Sequence, residues 1–279
     1  MRALLAAALT IAPAIFPVAA SAQLMEQVAN PQLMNPNILP SGSQLRICHQ
    51  NGLVTADLDI AIAREIAARL FLEIEVNVLP SGYGVGGEFA AADLLVNLSA
   101  QCDAIFGMGI GANIYPAEFT VTQPYVAHSF TYLATNPDYQ RLTDIPAGLR
   151  VGVEMASYGS FVFRQFNSLR PESERLGFLP YADHTLMLTR LQDETLAAVS
   201  IYAPFWRAGA DTPVYQGVHE LQRMPELAAR VNTGALLLSQ NTFMRGELDA
   251  AIADLLADGT VARLIEELGY DAYGTTVAQ

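Results

Sequence analysis

The 279-residue sequence predicts an α/β protein of two lobes joined by two crossing strands. A strand–helix–strand–helix–strand run occurs twice along the chain. A stretch rich in β-formers separates the two runs, and two helices near the end follow a late strand and need a sheet to cover.

The first run begins with Leu45-Arg46-Ile47-Cys48, a short strand followed by a polar loop through Asn51 and Gly52. From Asp57 to Leu72 the apolar residues Leu58, Ile62, Ile66, Ala67 and Leu70 recur at helical spacing. Glu73 to Leu79 alternates through Ile74, Val76 and Val78, which is the period of a strand. A loop with Gly82, Gly84, Gly86 and Gly87 leads to a second helix from about Glu88 to Ala100. Cys102 to Gly107 is the third strand. Such a unit builds a parallel sheet, whose ligand crevice lies at the carboxyl ends of its strands. Residues 49–52 and 107–110 therefore fall at the first lobe's mouth.

Thr120 to Thr135, interrupted by Pro124, reads as extended. The second run follows as strands Leu149–Val153, Gly177–Tyr181 and Leu196–Ile201 and helices Tyr158–Leu169 and His184–Leu191. Gly234 to Leu238 is strand-like, and Phe243–Leu256 and Thr260–Leu268 are helices separated by Asp258-Gly259. A return of this end to the first sheet assigns residues 44–125 and 233–279 to lobe 1 and 126–232 to lobe 2. The crossings then lie near 125–135 and 228–236, and two crossings make a hinge.

Residues 1–22 read as a signal peptide. Arg2 precedes an apolar run from Leu4 to Ala20, and Ala20-Ser21-Ala22 supplies the small residues of a cleavage site before Gln23. Residues 23–43 are rich in Asn, Pro, Gln and Ser and read as a mobile segment. No later stretch reaches the roughly 18 apolar residues of a membrane span. The expectation is an exported periplasmic protein, monomeric, with no cofactor.

The formal net charge of −13 excludes the basic footprint of a nucleic-acid binder. Cys48 and Cys102 lie on predicted strands, and an oxidising compartment allows one disulfide between them, subject to a geometry that sequence does not supply. Two cysteines without nearby histidines do not make a metal site, and His128, His184 and His219 lack metal-ligand spacing. The G-x-S-x-G, H-E-x-x-H and P-loop motifs are absent, and the glycines at 82–87 break the dinucleotide fingerprint. The sequence is read as a non-enzyme.

Asp57-Leu58-Asp59-Ile60-Ala61-Ile62-Ala63 followed by Ile66 to Leu70 resembles the "GFDVDLAKAIAKRLG" helix of the family 3 extracellular solute-binding proteins. Leu94-Leu95, Leu98 and Cys102-Asp103-Ala104 resemble that family's "LIPALQSGKVD". Thr122-Gln123-Pro124-Tyr125 resembles its "FSxPY", and Leu248 to Gly269 its terminal helices. The resemblance runs from about Leu45 to Tyr270. It implies the type II periplasmic binding fold, a small organic ligand between the lobes, and delivery to an ABC permease in the membrane. Leu45–Cys48 with Cys102–Gly107 also resembles the "LRVC" and "CDVVMG" pair of proteins associated with quinoprotein dehydrogenases. That implies an alternative partner, a periplasmic quinoprotein (PQQ) alcohol dehydrogenase, and a degenerate cleft. A periplasmic lyase on the same fold is a second alternative.

The resemblance implies an arginine after the third strand for a ligand carboxylate and an aspartate in the second lobe for an ammonium. Between Gly107 and Tyr125 there is no arginine or lysine, and Tyr202 holds the acidic position. An ordinary α-amino acid would bury two opposite charges without partners, which is costly. The expected ligand is therefore not a standard amino acid. The candidate ligand-binding residues are Asn51, Met108, Asn113 and Tyr115 in the first lobe and Ser157, Tyr158, Gly159, Tyr202 and Trp206 in the second. Phe205 and Trp206 fit either the core or the cleft wall. Arg46 and Arg150 begin strands and are expected to face solvent.

Overall fold

The computed structural model describes residues 43–79, 91–111, 115–155 and 157–278. The proposed signal peptide, residues 23–42, the glycines at 82–87 and Asn113 lie outside the described residues.

Strand β1 (Gln44–Gln50) sits between β2 (Glu73–Leu79) and β3 (Ala104–Ile110), parallel to both. Helix α1 (Ala56–Arg69) links β1 to β2 and turns Leu58, Ile62, Ala63, Ile66 and Ala67 into the sheet. Helix α2 (Ala91–Ala100) covers the other face with Leu94 and Leu98. This is the parallel βαβαβ unit that the periodicity predicts.

After the short strand β4 (Phe119–Val121), β5 (Val126–Ala134) is buried along all nine residues. Its first half pairs antiparallel with β10 (Arg230–Leu238), in register from Val126↔Thr233 to Ser129↔Arg230. Its second half pairs antiparallel with β8 (Ala198–Tyr202), from Phe130↔Tyr202 to Leu133↔Val199. β10 in turn pairs with β3. These two strands thus carry the chain between two sheets.

The second sheet continues from β8 to β6 (Arg150–Glu154) and β7 (Gly177–Tyr181), all three parallel. Helices α3 (Tyr158–Leu169) and α4 (His184–Gln192) pack on its two faces through Phe163 on one side and Met187, Leu188 and Leu191 on the other. Helix α5 (Ala203–Gly209) leaves directly from the end of β8, and β9 (His219–Glu220) adds to β5. After β10, helices α6 (Thr242–Ala257) and α7 (Thr260–Glu267) return to the first sheet and bury Leu248, Ile252, Leu255, Val261 and Ile265 against α1. The last strand, β11 (Thr276–Val277), pairs with the start of β5.

Arg46 differs from its solvent-facing expectation. Its guanidinium meets the buried Asp103 carboxylate at 2.8 Å, and its backbone N–H donates to the other Asp103 oxygen at 2.8 Å. The reason is register. Pairing Ile47 with Ala104 sets residues 46 and 103 side by side at the start of two parallel strands. The same juxtaposition brings Cys48 and Cys102 to a Cα separation of 5.7 Å, and they form a disulfide.

The bond closes a loop of 54 residues, which constrains the unfolded chain by about 4 kcal/mol in the loop-entropy account. Replacing both cysteines by alanine should lower unfolding stability by roughly 2–4 kcal/mol in urea titrations. An unchanged midpoint would show that the bond adds no stability through the unfolded chain.

Candidate functional site

The carboxyl ends of β1 and β3 in the first sheet and of β6 and β8 in the second define the candidate cleft. Beneath the first lobe's edge lies a buried polar knot. Asp59, in the first turn of α1, is fully buried; it accepts a 2.6 Å hydrogen bond from the Thr55 hydroxyl and one of 2.7 Å from the Tyr125 hydroxyl. The Tyr125 oxygen accepts in turn from the Gly107 N–H at 2.9 Å. Gly107 has φ +78°, and a Cβ there would stand 2.8 Å from an Asp59 oxygen. Only glycine meets both conditions. The knot ties the end of β3 to the start of α1 and to the entry of β5.

Burial pushes the Asp59 carboxyl up to about 6, against the Thr55 and Tyr125 hydrogen bonds that favour its charged form. His128, on β5, lies on the other side of this region. It is fully buried, its Nδ1 is 2.9 Å from the Thr275 hydroxyl, and its Nε2 has no partner. Burial lowers it to about 3.

The second lobe meets this region through Tyr202, the last residue of β8. Its ring lies 5.5 Å from both His128 and Phe130 and 6.1 Å from Phe205. Its hydroxyl is driven well above its usual range, first by desolvation and then by the Asp59 carboxylate, while a hydrogen bond with Thr233 of β10 acts the other way. Tyr202 therefore reaches from the second sheet to a crossing strand. Gly159 is buried against Phe130, whose ring would lie 2.5 Å from a Cβ, so α3 approaches β5 closely at its N-terminus. Ser157 caps that helix, accepting from the Ser160 N–H at 3.0 Å. Tyr158 is 50% exposed beside Phe161, with the rings stacked at 6.2 Å.

The other candidates are more dispersed. Asn51 is exposed in the turn after β1. Tyr115 is half-buried, its hydroxyl donates to the Gly109 carbonyl at 2.9 Å, and burial raises it to about 12. Met108 is only 1% exposed and belongs to the core with Cys48 and Leu98, although its sulfur lies 3.8 Å from the Gln50 amide at the mouth. Trp206 is half-buried on α5 and points edge-on at Tyr273, 5.2 Å away, near the chain's end. Phe205 lies in the second lobe 4.6 Å from His184. The structure thus gathers Tyr202 and Gly159 around Phe130, and sets Met108 and Trp206 behind the cleft walls.

Residue-type reasoning passed over Asp59, Tyr125 and His128. Their signal is visible in retrospect: Asp59 precedes Ile62 and Ile66 by three and seven residues, the spacing of the buried face of α1. Glu154 and His184 form another pair at the second lobe's edge, with Oε1 and Nδ1 3.6 Å apart. Among the described residues no group of three or more His, Cys, Asp and Glu is placed to hold a metal.

The two buried titrating groups pull stability in opposite directions. Asp59 is raised on folding, so the native state holds its proton more tightly; this contribution is full below about pH 4 and declines by about 3 kcal/mol as pH rises through 6. His128 is lowered on folding, so its contribution is full above about pH 6.5 and is lost as pH falls toward 3. In an Asp59→Asn variant the His128 limb should stand alone, and urea midpoints should climb more steeply between pH 4 and 6 than in the parent. Parallel profiles would refute the Asp59 assignment.

No family model matches the chain, and no curated protein matches it. Solved structures do. The probable amino-acid ABC transporter extracellular-binding protein ytmK of Bacillus subtilis is 13% identical with a TM-score of 0.62, over 81% of this chain and 97% of that one. Substrate-binding domain 2 of GlnP from Lactococcus lactis, in an open conformation, is 17% identical with a TM-score of 0.59, over 82% and 97%. The second substrate-binding domain of a putative amino acid ABC transporter from Streptococcus pneumoniae is 17% identical with a TM-score of 0.58, over 80% and 99%. At these identities the likeness speaks to architecture, and the architecture agrees with the sheet order described above: the chain has the two-lobed mixed α/β fold of the type II periplasmic binding proteins.

Proposed function

We propose that the protein binds a small organic solute in the cleft between its lobes and hands it to an ABC-type permease, and that the solute is not a standard amino acid. The first half of this reading draws on the fold and on the amino-acid transporter components that share it. The second half rests on Tyr202. The end of β8 carries a phenol where the family resemblance implies a carboxylate, and that phenol is half-buried beside His128 and Phe130. A ligand ammonium would find no acid at that strand end. A ligand carboxylate would find no arginine or lysine between Gly107 and Tyr125.

What remains suits a neutral or weakly charged compound with an aromatic or apolar body. Tyr158 and Tyr202 offer ring faces, and the first turn of α3, capped by Ser157, offers the Gly159 backbone N–H to a ligand oxygen. Asn51 and Tyr115 offer neutral polar contacts from the first lobe, with Met108 and Trp206 supporting the walls. Periplasmic residence goes with this reading. Among the described residues no helix is long and apolar enough to cross a membrane.

Thermal unfolding against a panel of small solutes tests the reading. A true ligand at a hundredfold excess over its Kd adds about 2.7 kcal/mol, or roughly 5–10 °C at this chain length. The hit should be neutral or aromatic, and the standard amino acids should leave the midpoint unmoved. Tyr202→Ala should weaken the hit about tenfold, near 1.4 kcal/mol, by isothermal titration. A shift with ordinary amino acids would overturn the specificity proposed for Tyr202.

A further inference from the structure

Helix α5 has seven residues, starts immediately after Tyr202, and carries Arg207 out of the second lobe. The Arg207 side chain ends in the first lobe. Its Nη2 lies 2.9 Å from Oδ2 of Asp57, in the first turn of α1. Nε and Nη2 both donate to the carbonyl of Leu268, at 3.0 and 2.7 Å. The guanidinium lies over the Tyr270 ring, 3.7 Å from its centre.

Each contact uses a different property of arginine: charge toward the carboxylate, a planar fork toward the carbonyl, and a flat cationic face toward the ring. All three acceptors are fixed to the first lobe. Leu268 caps the C-terminus of α7, where unpaired carbonyls and the helix dipole favour a cation. Tyr270 is fully buried in the first lobe's core, and its hydroxyl is hydrogen-bonded to the same Asp57 carboxylate.

Among the described residues, each of the other ion pairs stays within one lobe: Arg46 with Asp103, Arg69 with Asp254 and Asp258, and Arg263 with Glu65 and Glu267 in the first; His184 with Glu154, Arg190 with Asp193 and Arg223 with Glu220 in the second; and Arg245 with Asp249 on α6. The Arg207–Asp57 pair alone crosses. It is flanked by a second crossing contact, the edge-on pairing of Trp206 with Tyr273.

We infer that Arg207 is an interlobe bolt: it fastens α5 of the second lobe to α1 and the C-terminal turn of the first, and so holds the two lobes at a set angle. Two crossing strands alone leave a hinge free to bend. The bolt adds a third tie, made by side chains rather than by backbone pairing, on the helix that follows the end of β8. Opening the cleft by rotating α5 away from α1 requires breaking this ion pair, two hydrogen bonds and a stacked ring together. A ligand that widens or tightens the cleft must act against or with that resting position.

The inference concerns contacts within the chain itself and is tested without any ligand. Spin labels at Val96→Cys on α2 and Leu169→Cys on α3 report the interlobe distance; both positions are well exposed, and the two native cysteines are bonded to each other. By pulsed dipolar spectroscopy the parent protein should give one narrow distance. Arg207→Gln should give a longer and broader one. Arg207→Lys should follow Arg207→Gln, because an ammonium cannot serve the carboxylate, carbonyl and ring at once. Asp57→Asn should move the same way by less, since Leu268 and Tyr270 still hold the guanidinium. If Arg207→Gln fails to fold by circular dichroism, the lysine and Asp57→Asn variants carry the test. Unchanged distances in the folded variants would overturn the bolt. Because no solute enters the measurement, a silent ligand panel and a failed bolt are separate results.

Discussion

The structure depends on one run of backbone pairing. Over residues 126–129 the strand β5 is bonded to β10, and from residue 130 onward it is bonded to β8. A strand can serve two sheets in this way only if both of its edges are taken and both of its faces are covered, because unpaired backbone groups in such a place would be costly. The burial of all nine residues of β5 meets that demand. It also makes β5 the element through which the two lobes share a boundary, with His128, Phe130 and Thr131 all inward at the junction.

The polar groups around that junction follow from it. Tyr125 enters β5 already committed to Asp59 and Gly107, so the strand's starting point is fixed to the first lobe. Tyr202, opposite Phe130 in the register, is carried to the same place from the second lobe. A carboxylate at position 202 would feel the Asp59 charge that already raises the phenol, and like charges disfavour each other's ionisation. The phenol avoids that conflict, and desolvation together with the Asp59 charge raises it.

Much of the architecture was legible beforehand. Helical spacing in α1 and alternation in β2 survive in the structure because each element buries one continuous face. Tyr158–Leu169 and Gly177–Tyr181 are the observed bounds of α3 and β7. Strand ends were less legible: β10 begins at Arg230, four residues before its apolar run, since the crossing segment pairs through residues whose side chains are only partly buried. The site was read less fully than the fold. Tyr202 was named as a candidate from its place after a strand, but Asp59 was hidden because an acid on the apolar face of a helix looks like a surface residue until its donors are known. Arg46 was misjudged for the same reason, its partner Asp103 lying 57 residues away.

The sequence by itself determined which segments are strands and helices, and that they fall into two α/β units. These are local properties, carried by period and residue type. The tertiary structure decided which side chains meet. It paired Cys48 with Cys102, sank Asp59 under Tyr125, set Tyr202 against the crossing strands, and brought Arg207 to an aspartate 150 residues earlier in the chain. The physical reason is that a hydrogen bond or ion pair is fixed by distance and angle over a few ångström. Those quantities exist only once the sheets have chosen their register.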